Sequence, residues 1–189
     1  MLQRPAYSPV QPLSDNAPSS VKPSQQAIDT YKVAPELPKY IRIPTINVPK
    51  TRVMQLGLLK NNQIAAPNNI YDAGWYRDST KPGQHGAMFM YGHVSSWSAN
   101  GIFYDLKNLK PGDYVTVERG DGKSYTYAVN MSKTYPADKV DMHAVLAPTE
   151  AGKPGLNLMT CAGQLKKGSS EFSERLVVFT TLIESSIEG

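Results

Sequence analysis

Cysteine is almost absent from this chain of 189 residues. Cys161 stands alone, so no intrachain disulfide can form and the fold must be held by its core. Histidine is scarce as well, with three residues, and none of the short Cys/His spacings that hold zinc occurs. No metal and no cofactor are expected. Long apolar runs are missing: the longest, LVVFTTLI, has the length of a strand and falls far short of the roughly 20 residues that span a bilayer. The opening stretch MLQRPAYSPVQPLSDNAPSS lacks the apolar segment of a secretion signal. Basic clusters are missing too. The 20 Lys and Arg residues against 16 Asp and Glu leave a net charge of +4, but they are scattered, and no basic stripe alternates with aromatics. Nucleic acid is not an expected partner.

The chain does contain 15 prolines, 14 glycines and 11 tyrosines, a composition that favours short strands and turns over long helices. Its length suits one domain with a proper core. Residues 1–36 are rich in Pro, Ser, Gln and Asn and read as an arm or linker, with a helical turn near SQQAIDTYKV, that lies against the domain or a neighbour. Residues 37–185 carry the folded domain. KYIRIPTINV, RVMQL, AMFMYGH, YVTVER, KSYTYAVNMSKTY, PGLNLMTC and RLVVFTTLI read as strands, whereas PNNIYDAGWYRDSTKPGQHG reads as a long loop or a loop with a helical turn. YVTVER and KSYTYAVNMSKTY, joined by GDG, make a hairpin. Seven or eight short strands predict an all-β barrel or sandwich.

Composition alone favours an inert, buried thiol at Cys161. Strand parity points elsewhere. In LNLMTC, Leu156, Leu158 and Thr160 share the better core face, while Asn157, Met159 and Cys161 share the other. Cys161 therefore ends a strand on its less apolar side, a poor place to hide sulfur and a suitable one for a nucleophile. A general acid would come from His85, His93 or His143. Of these, His93 follows an apolar strand and a glycine that permits a sharp turn or a close approach. Arg175 opens RLVVFTTLI in register with Val177 and Phe179. It is either paired with Glu171 or Glu174 at the strand mouth or available to stabilise an oxyanion.

These residues carry a family resemblance. NLMTC, followed by SERLVVF and preceded by MYGHVSS, resembles the sortases, cysteine transpeptidases of bacterial surfaces, whose pattern is T-L-x-T-C, an upstream histidine and an arginine opening the next strand. RIPTINV, AGWY and FYDLKNLKPGDYVTV are also sortase-like, and GWY with the compact spacing is closest to the class labelled F. The resemblance covers about Lys39 to Ile183 and departs at Asn157, where the family usually has threonine. It implies a closed eight-stranded barrel, with Cys161 as nucleophile, His93 as general acid and base, Arg175 holding the carbonyl oxygen and Thr160 contributing to the substrate pocket.

The implied substrates are an L-P-x-T-G-like sorting signal and an amine acceptor, either a cell-wall precursor or a pilin lysine. The implied location is the cell surface, with a membrane anchor preceding this stretch. PADKVDMHAVLAPTEAGKPG would wall the peptide groove, and its acidic residues Asp138 and Asp141, with Glu150, read as a solvated loop rather than calcium ligands. Two alternatives are an L,D-transpeptidase, whose S-x-G-C motif LMTC does not match, and a surface binding module with an inert Cys161.

Overall fold

A computed structural model describes residues 17–187. The strands are β1 (Pro38–Ile43), β2 (Val48–Leu56), β3 (Ala73–Tyr76), β4 (Ala87–Gly92), β5 (Tyr114–Arg119), β6 (Lys123–Pro136), β7 (Gly155–Leu165) and β8 (Phe172–Ile187), with helices α1 (Gln25–Asp29) and α2 (Met142–Val145). The eight strands close into a barrel in the order β1-β2-β3-β4-β7-β8-β6-β5. The pairs β2/β3 and β4/β7 are parallel and the others antiparallel. The all-β expectation and the closed eight-stranded barrel both hold.

Two segments differ from the sequence reading. KYIRIPTINV is two strands, because Pro44 starts a 3-10 turn and Asn47 follows in the left-handed region at φ 56°. AGWY, expected within a loop, is β3, laid parallel to β2 with Trp75 buried in the core. Four residues between polar stretches give too short a pattern to announce a strand.

Alternation builds the interior. Ile41 and Ile43, Met88 and Met90, Val115 and Val117, Leu156 and Leu158 all project into one continuous core. A second apolar cluster lies on the outer face of β4, β7 and β8, where Phe89, Val177 and Phe179 pack against Val145 of α2. The segment expected to wall a peptide groove thus caps this outer face. Asp141 caps α2 by accepting from the Ala144 N–H at 3.1 Å, and Glu150 pairs with Lys153 at 2.7 Å.

Asn157 ties this cover down. It is fully buried on the outer face of β7, and its Nδ2 donates to the Val145 carbonyl at 2.7 Å and the Ala147 carbonyl at 3.0 Å. Its Oδ1 has no partner. Replacing Asn157 by threonine, whose hydroxyl cannot span both carbonyls, loses two bonds and relieves one unmatched oxygen. We expect a net destabilisation of about 1–2 kcal/mol, read as a melting temperature lower by roughly 2–8 °C. An unchanged melting temperature would show that the cover does not depend on this amide.

Residues 17–36 pack on the barrel. Ser24 caps α1 by accepting from the Ala27 N–H at 3.1 Å. Tyr31 and Val33 bury against Tyr40 and Met54. The Tyr31 hydroxyl donates to the Val53 carbonyl at 2.7 Å, and Tyr40 donates to the Ile28 carbonyl. Ser19 bridges Asn69 in parallel, its N–H donating to the Asn68 carbonyl at 2.7 Å. This docking rests on Tyr31, Val33 and Ile28 against Tyr40 and Met54, together with backbone bonds.

Candidate active site

The site forms where the cover of the outer face ends. Across β7 and β8 the facing pairs are Asn157 with Phe179, Met159 with Val177, and Cys161 with Arg175. Across β4 and β7 they are Phe89 with Asn157 and Tyr91 with Met159. Apart from Asn157, the outer row is thus apolar beneath α2, and it turns polar one step beyond it, at Tyr91, Cys161 and Arg175. Cys161 is partly exposed there, as the parity of LNLMTC predicted.

His93 follows β4 directly. Gly92 is there for close approach and not for a turn: a Cβ at this position would lie 2.5 Å from Phe103 Cδ2. The Phe103 N–H donates to the His93 carbonyl at 3.0 Å, which fixes the backbone. His93 Nε2 lies 2.7 Å from the Pro67 carbonyl. A carbonyl only accepts, so Nε2 carries the proton and Nδ1 keeps the lone pair in the neutral ring. Burial holds the imidazole below its usual range, against the opposing pull of the Pro67 bond. The resting ring at neutral pH is uncharged.

Cys161 and His93 line one groove of about 530 Å³ with Tyr91, Trp97, Leu165 and Phe172. Ala17, Pro18 and Ser20 form part of its wall, with Ser20 Oγ donating to Ser96 Oγ at 2.9 Å. Of the three histidines His93 alone lines this groove, while His85 and His143 are exposed elsewhere. Residues 136–155 are not among its lining.

Arg175 is half-buried beside Cys161. Its Nη1 donates to the Phe172 carbonyl at 3.1 Å and the Glu174 carbonyl at 2.9 Å. Glu171 pairs with Lys166 instead, and among the described residues no ion pair involves Arg175. Two neutral carbonyls orient the guanidinium without cancelling its charge. The positive charge stays available to an oxygen that becomes negative at the sulfur's side.

Thr160, expected in a substrate pocket, is not among the residues that line the groove. It is 2% exposed on the face opposite Cys161, and its hydroxyl donates to the Gly92 carbonyl at 2.7 Å. That bond ties the residue before Cys161 to the residue before His93. Tyr91 was missed, although the alternation of AMFMYGH already puts it on the side of His93. Its Oη lies 3.0 Å from Cys161 Sγ, and its ring meets the imidazole edge-on with centroids 5.9 Å apart. The Pro67 carbonyl had no signal in the sequence, because any residue carries one.

Among the described residues no cluster of three or more His, Cys, Asp or Glu could hold a metal ion. The groove holds a thiol and an imidazole, and an uncompensated guanidinium stands opposite the thiol across β7 and β8; these are the groups needed for acyl transfer through sulfur.

The family model described as a sortase domain matches residues 41–183. No curated protein matches by sequence. Among solved structures, sortase C of Streptococcus pneumoniae aligns with a TM-score of 0.61 at 21% identity over 94% of this chain and 81% of that one. SrtA sortase from Actinomyces oris aligns at 0.59 and 18% over 80% and 82%, and sortase E from Streptomyces avermitilis at 0.57 and 21% over 80% and 91%.

Proposed function

The chain belongs to the sortase family, and from that premise we propose that this cysteine transpeptidase cuts an L-P-x-T-G-like sorting signal between Thr and Gly and hands the protein to an amine at the cell surface. The observation that carries the reading is the meeting of three residues at one edge of the barrel. Cys161 faces Arg175 across β7 and β8, and His93 lines the same groove.

The chemistry follows from the groups. The Cys161 thiol gives its proton to the free Nδ1 of neutral His93, and the resulting thiolate attacks the threonine carbonyl carbon, whose oxygen gains negative charge beside the Arg175 guanidinium. As the C–N bond breaks, the His93 imidazolium gives a proton to the departing glycine amine through Nδ1, since Nε2 is engaged by Pro67. This leaves a thioester on sulfur. The incoming amine attacks it, neutral His93 takes the amine proton, and breakage of the C–S bond returns the thiolate. Trp97, 89% exposed at the rim, and Phe172 supply apolar contact suited to the leucine and proline of the signal.

Residues 37–185 are the catalytic domain in this reading, and the segment before them leads toward a membrane anchor. Among the described residues no helix is long and apolar enough to cross a membrane. The class F subtype belongs to the same reading and is supported by the GWY segment around Trp75 and the compact spacing. The acceptor is a cell-wall precursor amine or a pilin lysine.

Incubation with an L-P-x-T-G peptide and an amine, followed by mass spectrometry, should reveal a thioacyl adduct on Cys161 and the ligated product. His93→Ala should lower the rate about 10²–10⁴-fold, whereas His143→Ala should leave it unchanged. No adduct or product across a panel of such signals would overturn the substrate reading. The reverse outcome for the two histidines would overturn the choice of acid.

A further inference from the structure

We propose that Tyr91 is a further catalytic residue, whose phenol O–H donates to Cys161 Sγ, holds the thiolate before attack and releases it as the sulfur is acylated. The geometry is direct, since Oη and Sγ are 3.0 Å apart. The two residues reach each other from the outer face of adjacent parallel strands, Tyr91 opposite Met159 and Cys161 two residues further along. The same ring packs edge-on against His93. One side chain therefore touches both the nucleophile and the acid.

The direction of the bond follows from chemistry. Burial and the neighbouring sulfur push the phenol well above its usual range, so it keeps its proton. Against a thiolate, which only accepts, Tyr91 is the donor. A charge-assisted bond of this kind is worth more than a neutral one. A thioester sulfur carries no charge and accepts poorly, so the bond weakens as the C–S bond forms. Tyr91 thus favours a larger thiolate population at some cost in the reactivity of each thiolate, because nucleophilicity falls as a thiol becomes more acidic.

That trade has a signature which a merely structural tyrosine would lack. We measure the reaction of Cys161 with dithiodipyridine against pH in the full chain. The sulfur attacks the reagent's disulfide and thiopyridone leaves. In Tyr91→Phe the midpoint should rise by about 1 pH unit, which means about tenfold less thiolate below it. Each remaining thiolate should react about threefold faster, from the known dependence of rate on thiol basicity. The two profiles should therefore cross, with the variant about threefold slower at low pH and about threefold faster on the high-pH plateau.

A fluorinated tyrosine at position 91 keeps the ring and strengthens the donor, so it should move the midpoint below that of the wild type. Coincident midpoints in all three proteins would overturn the proposal. If Tyr91→Phe does not fold, the fluorinated protein decides alone: a lower midpoint supports the bond and an unchanged one rejects it. The inference rests on Cys161 being the nucleophile, but the assay needs no peptide. A failed sorting-signal assay and a failed Tyr91 test are therefore distinguishable.

Discussion

Cys161→Ala is expected to give a folded barrel that forms neither a thioacyl adduct nor any transpeptidation product above background. The side chain removed is partly exposed at the end of the covered outer face, and the core residues Leu156 and Leu158 project from the other face of β7. No large cavity opens, so the melting temperature should stay close to that of the wild type. Activity should nevertheless vanish, because the proposed route passes through a bond to sulfur. Cys161→Ser should fare no better. His93 is held with Nε2 on Pro67, and a hydroxyl would need a strong base placed on it to become a comparable nucleophile. Peptide assays by chromatography, with circular dichroism to confirm the fold, decide the matter. Retained turnover in the alanine variant would remove Cys161 from the chemistry and return it to the inert-thiol reading.

Arg175→Ala is expected to lower kcat about 10²–10³-fold, the range for losing a donor that stabilises an oxyanion. KM should change much less, because a neutral carbonyl gains little from a charge that an oxyanion needs. Arg175→Lys should recover only part of the loss. The guanidinium spends Nη1 on the Phe172 and Glu174 carbonyls and has further N–H groups to aim elsewhere, whereas an ammonium has no rigid fork to divide in this way. Steady-state kinetics across a peptide series separates the outcomes. A loss confined to KM would mean that Arg175 binds the signal in its ground state, and the oxyanion role would fall.

Much of this was legible in the sequence, for a physical reason. A strand's period of two is rigid, so LNLMTC gave the side of Cys161, and RLVVFTTLI put Arg175 on the face of Val177 and Phe179. That face turned out to be the outer one, buried beneath α2, so the strand's apolar residues on both sides are explained by cover from two directions. The same period would have found Tyr91. What stayed hidden depends on tertiary geometry. The Pro67 carbonyl is backbone, the side chains on which residues 17–36 dock are scattered along the chain, and the partner of the Thr160 hydroxyl, the Gly92 carbonyl, is backbone as well. Asn157 gave a visible irregularity, but its two carbonyl partners lie in a loop whose path only the fold specifies.

The strand order also bears on when the protein becomes active as it folds. β4 and β7 lie side by side although β5, β6 and α2 separate them in the chain, and β8, the last strand, pairs with both β6 and β7. Contacts so distant along the chain form slowly, because loop closure must precede them. Arg175 arrives only with β8, so the groove cannot be assembled by any fragment that lacks the C-terminal strand. On the proposed roles of Cys161 and Arg175, a chain emerging from synthesis therefore holds an idle thiol until β8 docks, and the barrel's topology acts as a timer on its chemistry.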